Sequence, residues 1–276
     1  MSNMSLFLGL IVLAALLLFG FSSFAKEGGF GQDLDGLKVG ERGIVTEIVD
    51  GDTFFMRGGL KVRVSAMQAP KLPLGRKGFE AWPLGEEAKE ALADRVLGKK
   101  IELRYGGERR DRYGRALAQV FVIANDGSPV WVQEDMIRAG MARVYTWPDT
   151  DQDTARLYAA EGEAREAARG IWGHDYYNIR NTYPDALAQD LDTFQLVEGI
   201  ITSAADVRGR IYLNFGANYR TDFTISVEKR HRARFENAGI DLLGLEGAKV
   251  RVRGWIELQN GPAISLDDPD RLEILD

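Results

Sequence analysis

A strict alternation of apolar and polar residues runs through LKVRVSA, residues 60–66, and constrains the local structure firmly. The apolar residues fall on one face of an extended segment, and Lys61, Arg63 and Ser65 fall on the other. This period of two predicts a β-strand. The segment RALAQVFVIA, residues 115–124, predicts another strand, entered from the turn DRYG. From Gly43 onward, short strands are therefore the expected building unit.

Three segments carry the period of an α-helix instead. GEEAKEALADRVLG, residues 85–98, opens with acidic residues and closes with glycine, as helices commonly do. The segments 132–144 and 153–172 each place apolar residues on one face, which also predicts helices. Short strands combined with three helices predict a mainly β protein of the α+β class.

The chain lacks cysteine, and its first 25 residues are apolar. The chain has 276 residues, enough for two soluble domains, and no cysteine, so disulfides and thiolate metal sites are excluded. Residues 1–25 are uncharged and apolar, which predicts a signal peptide or a membrane anchor. Because no positive residue precedes Lys26, we favour export with an uncleaved anchor. The expected location is extracytoplasmic: periplasmic, membrane-anchored or secreted.

Breaks in composition and periodicity divide the rest of the chain. Residues 26–41 are rich in glycine and polar residues, which predicts a flexible tether. Residues 177–193 interrupt the periodicity and predict a linker between domains. The two expected domains are therefore 42–176 and 194–276.

The second domain is predicted as five strands with a helix between the third and the fourth, the order of an OB-fold barrel. The strands are expected at 195–202, 209–215, 221–227, 248–258 and 262–266, and the helix at 229–238. Its aromatic side chains either fill the core or offer stacking surfaces to a ligand: Tyr212, Phe215, Tyr219, Phe223 and Trp255.

Charge is distributed unevenly along the chain. The formal net charge of -6 does not favour nucleic-acid binding, so a phosphate-bearing partner would have to meet a local basic patch. Two bunches of basic residues, which flank the strand with Arg63, form either a solvated surface or such a patch: Lys71, Arg76 and Lys77, and then Arg104, Arg109, Arg110, Arg112 and Arg115. The only histidines, His174 and His231, stand alone and carry no functional prediction.

Six short motifs follow one another in a specific order. The turn VDGDT is followed by VRV before an Ala-Pro loop, and then by GEEAKEAL, DRYGRALAQVFV, DMIRAGMARVY and AEGEAREAARGIW. Each turn alone could be purely structural. Together the motifs resemble the staphylococcal nuclease (thermonuclease) family over roughly residues 42–173. The resemblance implies a small five-stranded OB-like barrel packed with three helices. The segment that follows resembles an extra C-terminal domain seen after such domains in some bacterial envelope proteins.

The resemblance also implies a set of site residues. Asp52 matches a calcium-ligating carboxylate, and Thr53 a residue whose backbone carbonyl coordinates the same ion. Arg63 and Arg115 match the two arginines that hold the scissile phosphate, and a guanidinium suits that role because it grips two phosphate oxygens at once. The ligand-binding set further includes Lys71, Arg112 and Tyr113.

The chain departs from the family pattern in the loop after the strand. Where the family carries an acidic metal ligand and a glutamate general base, this chain has Gln68 and Lys71. A charged ammonium cannot accept a proton from water, and the loss of a general base typically costs a factor of about 10²–10⁴ in rate. We therefore predict that the Lys71 ammonium replaces the cation and pairs with Asp52, leaving a metal-free anion site. Glu80 or Glu86 would be the alternative bases.

Three functions remain as hypotheses. The favoured one is a nuclease-family protein that binds nucleic acid or another phosphate-bearing ligand, with calcium-dependent hydrolysis weak or lost. The second is an active phosphodiesterase with a changed metal requirement. The third is an interaction or assembly protein that meets an envelope partner at the membrane, to which residues 1–25 would attach it.

Overall fold

The computed structural model describes residues 34–275. The predicted anchor or signal peptide, residues 1–25, and half of the predicted tether, residues 26–33, lie outside this range. Between residues 34 and 275, none of the helices combines the length and the apolar character needed to span a bilayer.

Eight strands and three helices make up the first half of the described chain. The strands are β1 (Lys38–Asp50), β2 (Thr53–Met56), β3 (Lys61–Val64), β4 (Met67–Gln68), β5 (Lys100–Tyr105), β6 (Ala116–Ile123), β7 (Pro129–Trp131) and β8 (Arg143–Val144). The helices are α1 (Gly85–Val96), α2 (Val132–Arg138) and α3 (Thr154–Glu166).

Five of these strands close on themselves as a barrel, here called the first barrel. β1 pairs antiparallel with β2 and with β5, β2 with β3, and β5 with β6. The parallel pair of β3 and β6, with Val62 opposite Ala116, closes the ring. Closure leaves these strands without an open edge and encloses an apolar core that α1, α2 and α3 cover: Val45, Phe54, Val62, Val64, Ala88, Leu92, Ile101, Leu103, Val120, Met136, Ile137 and Leu157.

Two boundaries differ from the sequence prediction because glycines occupy close contacts. β1 begins at Lys38, inside the predicted tether, and Gly40 lies within it because a Cβ there would fall 2.3 Å from a ring carbon of Tyr105. The helix predicted over 132–144 ends at Arg138. Gly140 has φ +68 and a Cβ there would fall 2.1 Å from the carbonyl oxygen of Arg169, so the chain turns instead of continuing as a helix.

The third predicted helix is also shorter than its sequence pattern. α3 ends at Glu166, and Ala168 follows in the left-handed region with φ 47. The apolar helix face predicted over residues 153–172 therefore ends at the buried Ala164, and Ala168 lies beyond the helix. The first predicted helix is confirmed, because α1 spans Gly85–Val96 and Gly98 has φ +72 just beyond its end.

The second half contains eight strands, where five were predicted. They are β9 (Phe194–Ile200), β10 (Ser203–Val207), β11 (Arg210–Asn214), β12 (Thr224–Val227), β13 (Lys249–Trp255), β14 (Glu257–Gln259), β15 (Gly261–Leu266) and β16 (Leu272–Leu275). A short helix precedes them, α4 (Pro184–Leu187), and α5 (Arg232–Asn237) lies between β12 and β13. The extra strands arise because the predicted strand 248–258 breaks at Ile256 and because two short segments also pair.

Part of the pairing order of the first barrel recurs in this second half, which is called the second barrel for short although its strands form two separate sheets, β10-β11-β12-β15-β14 and β16-β13-β9. β10, β11 and β12 pair antiparallel in sequence, and β12 pairs parallel with β15. β13 pairs antiparallel with β9 and β16. The enclosed core is separate from that of the first barrel and includes Val197, Ile211, Leu213, Phe223, Ile225, Phe235, Val250, Val252 and Ile264.

Two fully buried arginines join the barrels. Arg143, at the end of the first barrel, lies 4.7 Å from the ring of Phe194 and 5.1 Å from that of Tyr177. Arg253 of β13 pairs with Glu161 of α3 at 3.0 Å and donates to the carbonyl oxygen of Val144 at 3.1 Å. A buried charge is costly unless it is paired, so the ion pair of Arg253 with Glu161 ties the two barrels together, whereas Arg143 meets aromatic rings and Gln195 Oε1, at 3.5 Å, without a carboxylate partner among the described residues.

Candidate functional site

The hairpin between β1 and β2 holds the carboxylate at the centre of the site. The main-chain N–H of Asp52 donates to Asp50 Oδ1 at 3.1 Å, which closes the turn. Only glycine fits between them, since a Cβ on Gly51 would fall 2.7 Å from the Cβ of Ala69 and 2.9 Å from that of Ala88. The Asp52 side chain is consequently buried under the loop that follows β4.

A single oxygen of Asp52 is surrounded by nitrogen donors. Lys71 Nζ lies 3.0 Å from Asp52 Oδ2 and Arg63 Nη2 lies 3.2 Å from it. The main-chain N–H of Ala69 donates at 3.2 Å and Gln68 Nε2 at 3.4 Å. The other oxygen, Oδ1, accepts from Thr53 Oγ1 at 3.1 Å. The predicted pair between Lys71 and Asp52 is thus present.

These charges set the protonation of the site. Burial alone would raise the pKa of Asp52, but the positive charges of Arg63 and Lys71 outweigh burial and hold that pKa well below its usual range. Burial lowers the pKa of Lys71, and the Asp52 carboxylate offsets part of that shift. Burial and the negative charge of Asp52 raise the pKa of Asp50. Asp52 is therefore held as an anion between two cations.

The arrangement does not fit a calcium ion. Calcium takes six to eight oxygen ligands, whereas nitrogen donors from four different residues converge on Asp52 Oδ2. Gln68 turns its Nε2 toward Asp52 and toward the carbonyl oxygen of Ala69, at 2.9 Å, so its amide acts there as a donor. In residues 34–275, no three acidic, histidine or cysteine side chains are grouped so as to hold a metal.

Arg63 is more deeply buried than is expected for a side chain that contacts a phosphate in an open cleft. Its guanidinium is almost fully buried, donates to the carbonyl oxygens of Val64 and Met67, and lies 5.7 Å from the ring of Trp147. Thr53 lies opposite Arg63 in the ladder of β2 and β3. The guanidinium therefore supports the loop after β3 and neutralises Asp52, while only its edge reaches the open space.

The turn DRYG, residues 111–114, lies just before β6, the strand that pairs with β3. The turn and the residue after it carry the remaining predicted residues. Asp111 accepts hydrogen bonds from the main-chain N–H groups of Tyr113 and Arg115, at 2.9 and 3.0 Å, and pairs with the Arg115 guanidinium at 2.6 Å. Arg112 and Tyr113 are exposed, and Arg112 lies 5.0 Å from the tyrosine ring. The turn thus presents one paired and one unpaired arginine together with an exposed aromatic ring.

All of the predicted phosphate-binding residues line one open cleft of about 1260 Å³. The first barrel contributes Arg63, Gln68, Lys71, Arg76, Arg110, Arg112, Tyr113, Arg115 and Trp147, together with Asp50, Glu108, Asp111 and Asp149. Arginine and lysine side chains outnumber the carboxylates in its lining. The alternative bases Glu80 and Glu86 are exposed and do not line this cleft.

The opposite wall belongs to the second barrel, which the sequence analysis did not connect to the site. It supplies Glu228, Arg230, His231, Arg234, Trp255, Glu257, Ser265, Asp267 and Arg271. A signal was available, since KRHRAR, residues 229–234, is a dense basic run. The sequence predicts only a helix at this run, because nothing in it shows that the turn faces the first barrel.

Comparison with known proteins identifies the class to which the first barrel belongs. The family model described as "Staphylococcal nuclease homologue" matches residues 61–174. An uncharacterized endonuclease of Escherichia coli O157:H7 is 33% identical over 133 residues, which cover 47% of this chain and 76% of that protein. The chain belongs to the staphylococcal nuclease homologue family, and the resemblance inferred from the motifs is confirmed.

Two further relatives show how the similarity is distributed. Endonuclease YhcR of Bacillus subtilis (strain 168) is 32% identical over 143 residues, which cover 48% of this chain but only 11% of that protein. The thermonuclease of Staphylococcus intermedius is 25% identical over 171 residues, covering 59% of this chain and 95% of that protein. The mixed, strand-rich architecture of the first barrel agrees with the predicted α+β fold of this family.

Proposed function

We propose that this protein binds phosphodiester-bearing ligands in the cleft and that its calcium-dependent hydrolysis is weak or lost. The observation that carries the proposal is the placement of two cations, Arg63 and Lys71, on the single carboxylate oxygen of Asp52. The resemblance places a metal ion at this carboxylate. Here the Lys71 ammonium supplies the compensating charge instead.

The chemistry of the replaced residues supports the same proposal. A calcium-dependent nuclease needs an oxygen-rich site for the hard cation and a base for the attacking water. Gln68 faces Asp52 with its nitrogen, and Lys71 is an ion-paired cation, so neither supplies what the family pattern supplies at those positions. What the cleft retains is a surface of arginines, which bind phosphate without any metal.

A cleavage assay tests the proposal. Single-stranded DNA and RNA would be incubated with the wild type in Ca²⁺, Mg²⁺, Mn²⁺ or EDTA, beside the Gln68→Asp/Lys71→Glu variant and beside Lys77→Glu. The last reverses an exposed charge outside the cleft. We expect a silent wild type and control, and cleavage in Ca²⁺ by the double variant. Ca²⁺ should also raise the melting temperature of the double variant alone, because a ligand stabilises only the folded state that binds it.

A second candidate function is an active phosphodiesterase. It is favoured by the names of the relatives, since the Escherichia coli and Bacillus subtilis proteins are called endonucleases. Metal-dependent cleavage by the wild type that disappears in Arg63→Ala would establish this function and overturn the preferred one.

A third candidate is an interaction or assembly role in the envelope. We propose that residues 1–25 export the chain and anchor it to a membrane, because they form an uncharged apolar stretch long enough to span one. Deleting them should move the protein from the membrane fraction to the soluble fraction. Co-purification with an envelope protein that is indifferent to salt and to oligonucleotide would favour assembly over ligand binding.

The second barrel is proposed to be OB-like. The support is its strand order, in which β10, β11 and β12 run antiparallel and the third strand pairs parallel with β15, as in the first barrel. This assignment implies no ligand by itself, since one fold hosts many functions.

A further inference from the structure

A compact group of cations forms the wall of the cleft that the second barrel provides. The short turn Lys229–His231 and the start of α5 bring together Arg230, His231 and Arg234, here called the basic turn. Arg230 Nε donates to His231 Nε2 at 3.0 Å, and Arg234 Nη1 lies 3.1 Å from His231 Nδ1. The two guanidiniums therefore flank one imidazole at the edge of the cleft.

The basic turn retains unused capacity to bind an anion. Both arginines are exposed, and among the described residues neither forms an ion pair with a carboxylate. The nearby acids are engaged elsewhere, because Glu228 pairs with Arg210 at 3.2 Å and Asp267 pairs with Arg271. A neutral imidazole has only one acceptor nitrogen, so it cannot satisfy both guanidiniums at once, although Arg234 Nη1 also donates to the carbonyl oxygen of Asp267 at 3.1 Å.

Three of the four charges that act on the pKa of His231 are positive. Burial lowers the pKa of His231, and the positive charges of Arg234, Arg230 and Arg271 lower it further, against a smaller opposite effect of Glu228. A histidine kept neutral by its neighbours adds no repulsion of its own to the lysine and arginine side chains around it. An incoming phosphate would relieve the crowding of positive charge.

The first barrel faces this turn with cations that are also unpaired. Arg76 donates to main-chain carbonyl oxygens and stacks on Phe79, and Arg112 lies over Tyr113; among residues 34–275 neither has a carboxylate partner in an ion pair. The cleft between the walls, about 1260 Å³, exceeds the roughly 300–1,000 Å³ of small-molecule sites. Its size suits several units of a polymer.

Aromatic rings are interspersed with the cations. Tyr113 is 69% exposed, Trp147 lies in the same cleft, and Trp255 enters it from the second barrel. Base stacking on such rings is available only to unpaired nucleotides, and cations along a groove follow the phosphates between them. The joint made by Arg143 and Arg253 holds both walls in place, so the pattern is set before any ligand arrives.

We propose that the basic turn is a phosphate-binding site of the second barrel, which holds an unpaired polynucleotide across the cleft together with Arg76 and Arg112. The inference rests on the proposed function, since it assigns the ligand class and names the second barrel as part of the binding surface. The second barrel then forms part of the ligand-binding surface of this cleft.

Oligonucleotide binding by the full chain tests this inference. The probe is a labelled oligothymidylate of about 12 nucleotides, a length within the known range for single-strand sites. The variant is Arg230→Ala/Arg234→Ala, and the matched control is Arg208→Ala/Arg220→Ala. The control removes the same charge from exposed arginines of the same barrel that do not line the cleft. Thermal unfolding of both variants checks that each remains folded.

The expected result is a weaker complex with a shallower salt dependence. Each lost phosphate contact reduces the slope of log K against log salt by about 0.7 for a single strand, so the double variant should lose about 1.4 and the control nothing. A blunt duplex of the same length should bind more weakly than the single strand. Equal binding of duplex and single strand would overturn the assignment of an unpaired ligand.

The experiment distinguishes failure of the phosphate site at the basic turn from failure of the function proposed for the cleft. If the wild type binds the oligonucleotide and both double variants match it in affinity and slope, the basic turn is not a phosphate site, while the function proposed for the cleft stands. If the wild type itself shows no salt-dependent binding of any oligonucleotide, the proposed function fails and this inference falls with it.

Discussion

Two buried carboxylate sites, one in each barrel, respond to burial in opposite ways. Asp52 in the first barrel is fully buried, and two cations hold its pKa below the usual range. Asp268 and Asp270 lie in and beside the turn Pro269–Arg271, which follows the second barrel's β15. Burial, with repulsion from Asp270, raises the pKa of Asp268 to about 7, and burial, with repulsion from Asp151, raises that of Asp270 to about 6. The same side chain at similar depth is a fixed anion in one place and a titrating acid in the other.

The difference shows that neighbours decide the state of a buried acid. Removal from water penalises the charged form at both sites. At Asp52 the charges of Arg63 and Lys71 reverse that penalty. The Asp268 carboxylate accepts from the main-chain N–H of Asp270, at 3.0 Å, and the Thr146 hydroxyl also lowers its pKa, while the neighbouring charges are the carboxylates of Asp270 and Asp151. The predictions below test each side of this contrast.

The largest effect should come from neutralising the paired acid. Asp52→Asn leaves Arg63 and Lys71 facing an uncharged amide in a buried place, and breaking a buried pair in this way costs about 3–5 kcal/mol of unfolding free energy. Urea denaturation at neutral pH measures the loss. Asp94→Asn, at an exposed position of α1, should change stability by no more than about 0.5 kcal/mol. A loss no larger than that of the control would mean that the cations do not need the Asp52 charge.

The unpaired acid should make stability depend on pH. The pKa of Asp268 in the folded state, about 7, lies above its value of 3.8 in the unfolded chain, so the folded state binds the proton more tightly between those values. The contribution of Asp268 to the free energy of unfolding is therefore fully present below pH 3.8. It falls as pH rises to 7, at a slope of up to about 1.4 kcal/mol per pH unit. Between pH 5 and 7 the loss should be roughly 2–3 kcal/mol.

Asp268→Asn isolates this contribution from those of other groups. An asparagine keeps the oxygen that accepts from the N–H of Asp270 and removes the titration. Urea denaturation of both proteins at several pH values should show a smaller fall for the variant, while Asp50 and His231 titrate equally in both. Parallel pH profiles for the two proteins would contradict the prediction.

A smaller effect is expected from the tyrosine that ties this turn to the first barrel. Tyr158 of α3 donates its hydroxyl to the carbonyl oxygen of Asp270, and burial raises the pKa of that hydroxyl, so it remains a donor. Tyr158→Phe should cost about 1 kcal/mol. Tyr183→Phe, at a tyrosine that is 69% exposed, is the control and should leave the midpoint of thermal unfolding unchanged. Equal midpoints for all three proteins would show that the contact adds nothing to stability.

The smallest effect concerns an acid paired near the surface. Asp111 pairs with Arg115 at 2.6 Å but both side chains reach solvent, so Asp111→Asn should cost about 0.5 kcal/mol, and less in high salt. The asparagine can still accept from the N–H groups of Tyr113 and Arg115. Denaturation at low and at high salt measures the difference. A cost of several kcal/mol would place this pair with Asp52 and not with surface pairs.

Local chemistry made much of the first barrel predictable. The alternation at residues 60–66 predicted β3, and acids followed by a closing glycine predicted α1. The pair between Lys71 and Asp52 could also be anticipated, because opposite charges at positions matched to one family site must lie close together. Each of these inferences needed only neighbouring residues or one motif order.

The joint and the far wall could not be predicted in the same way. Arg253 finds Glu161 from 92 residues away, and both look like ordinary surface charges in the sequence. Arg230 and Arg234 likewise resemble solvated helix residues until the second barrel is set against the first. The predicted ends of a strand and a helix were wrong near Gly40 and Gly140. The contacts that decide these ends are made with a tyrosine ring and a carbonyl oxygen that are distant along the chain.

The aromatic joint limits how this protein can be shortened. Trp82 and Tyr145 of the first barrel pack against Phe194, Leu196 and Trp255 of the second, around the buried guanidinium of Arg143. A truncation after residue 176 that aimed at a minimal nuclease-like unit would leave this surface open to water. Such a fragment would expose an apolar patch of aromatic rings. Its aggregation would therefore be a consequence of the truncation and would not show that the first barrel is unable to fold.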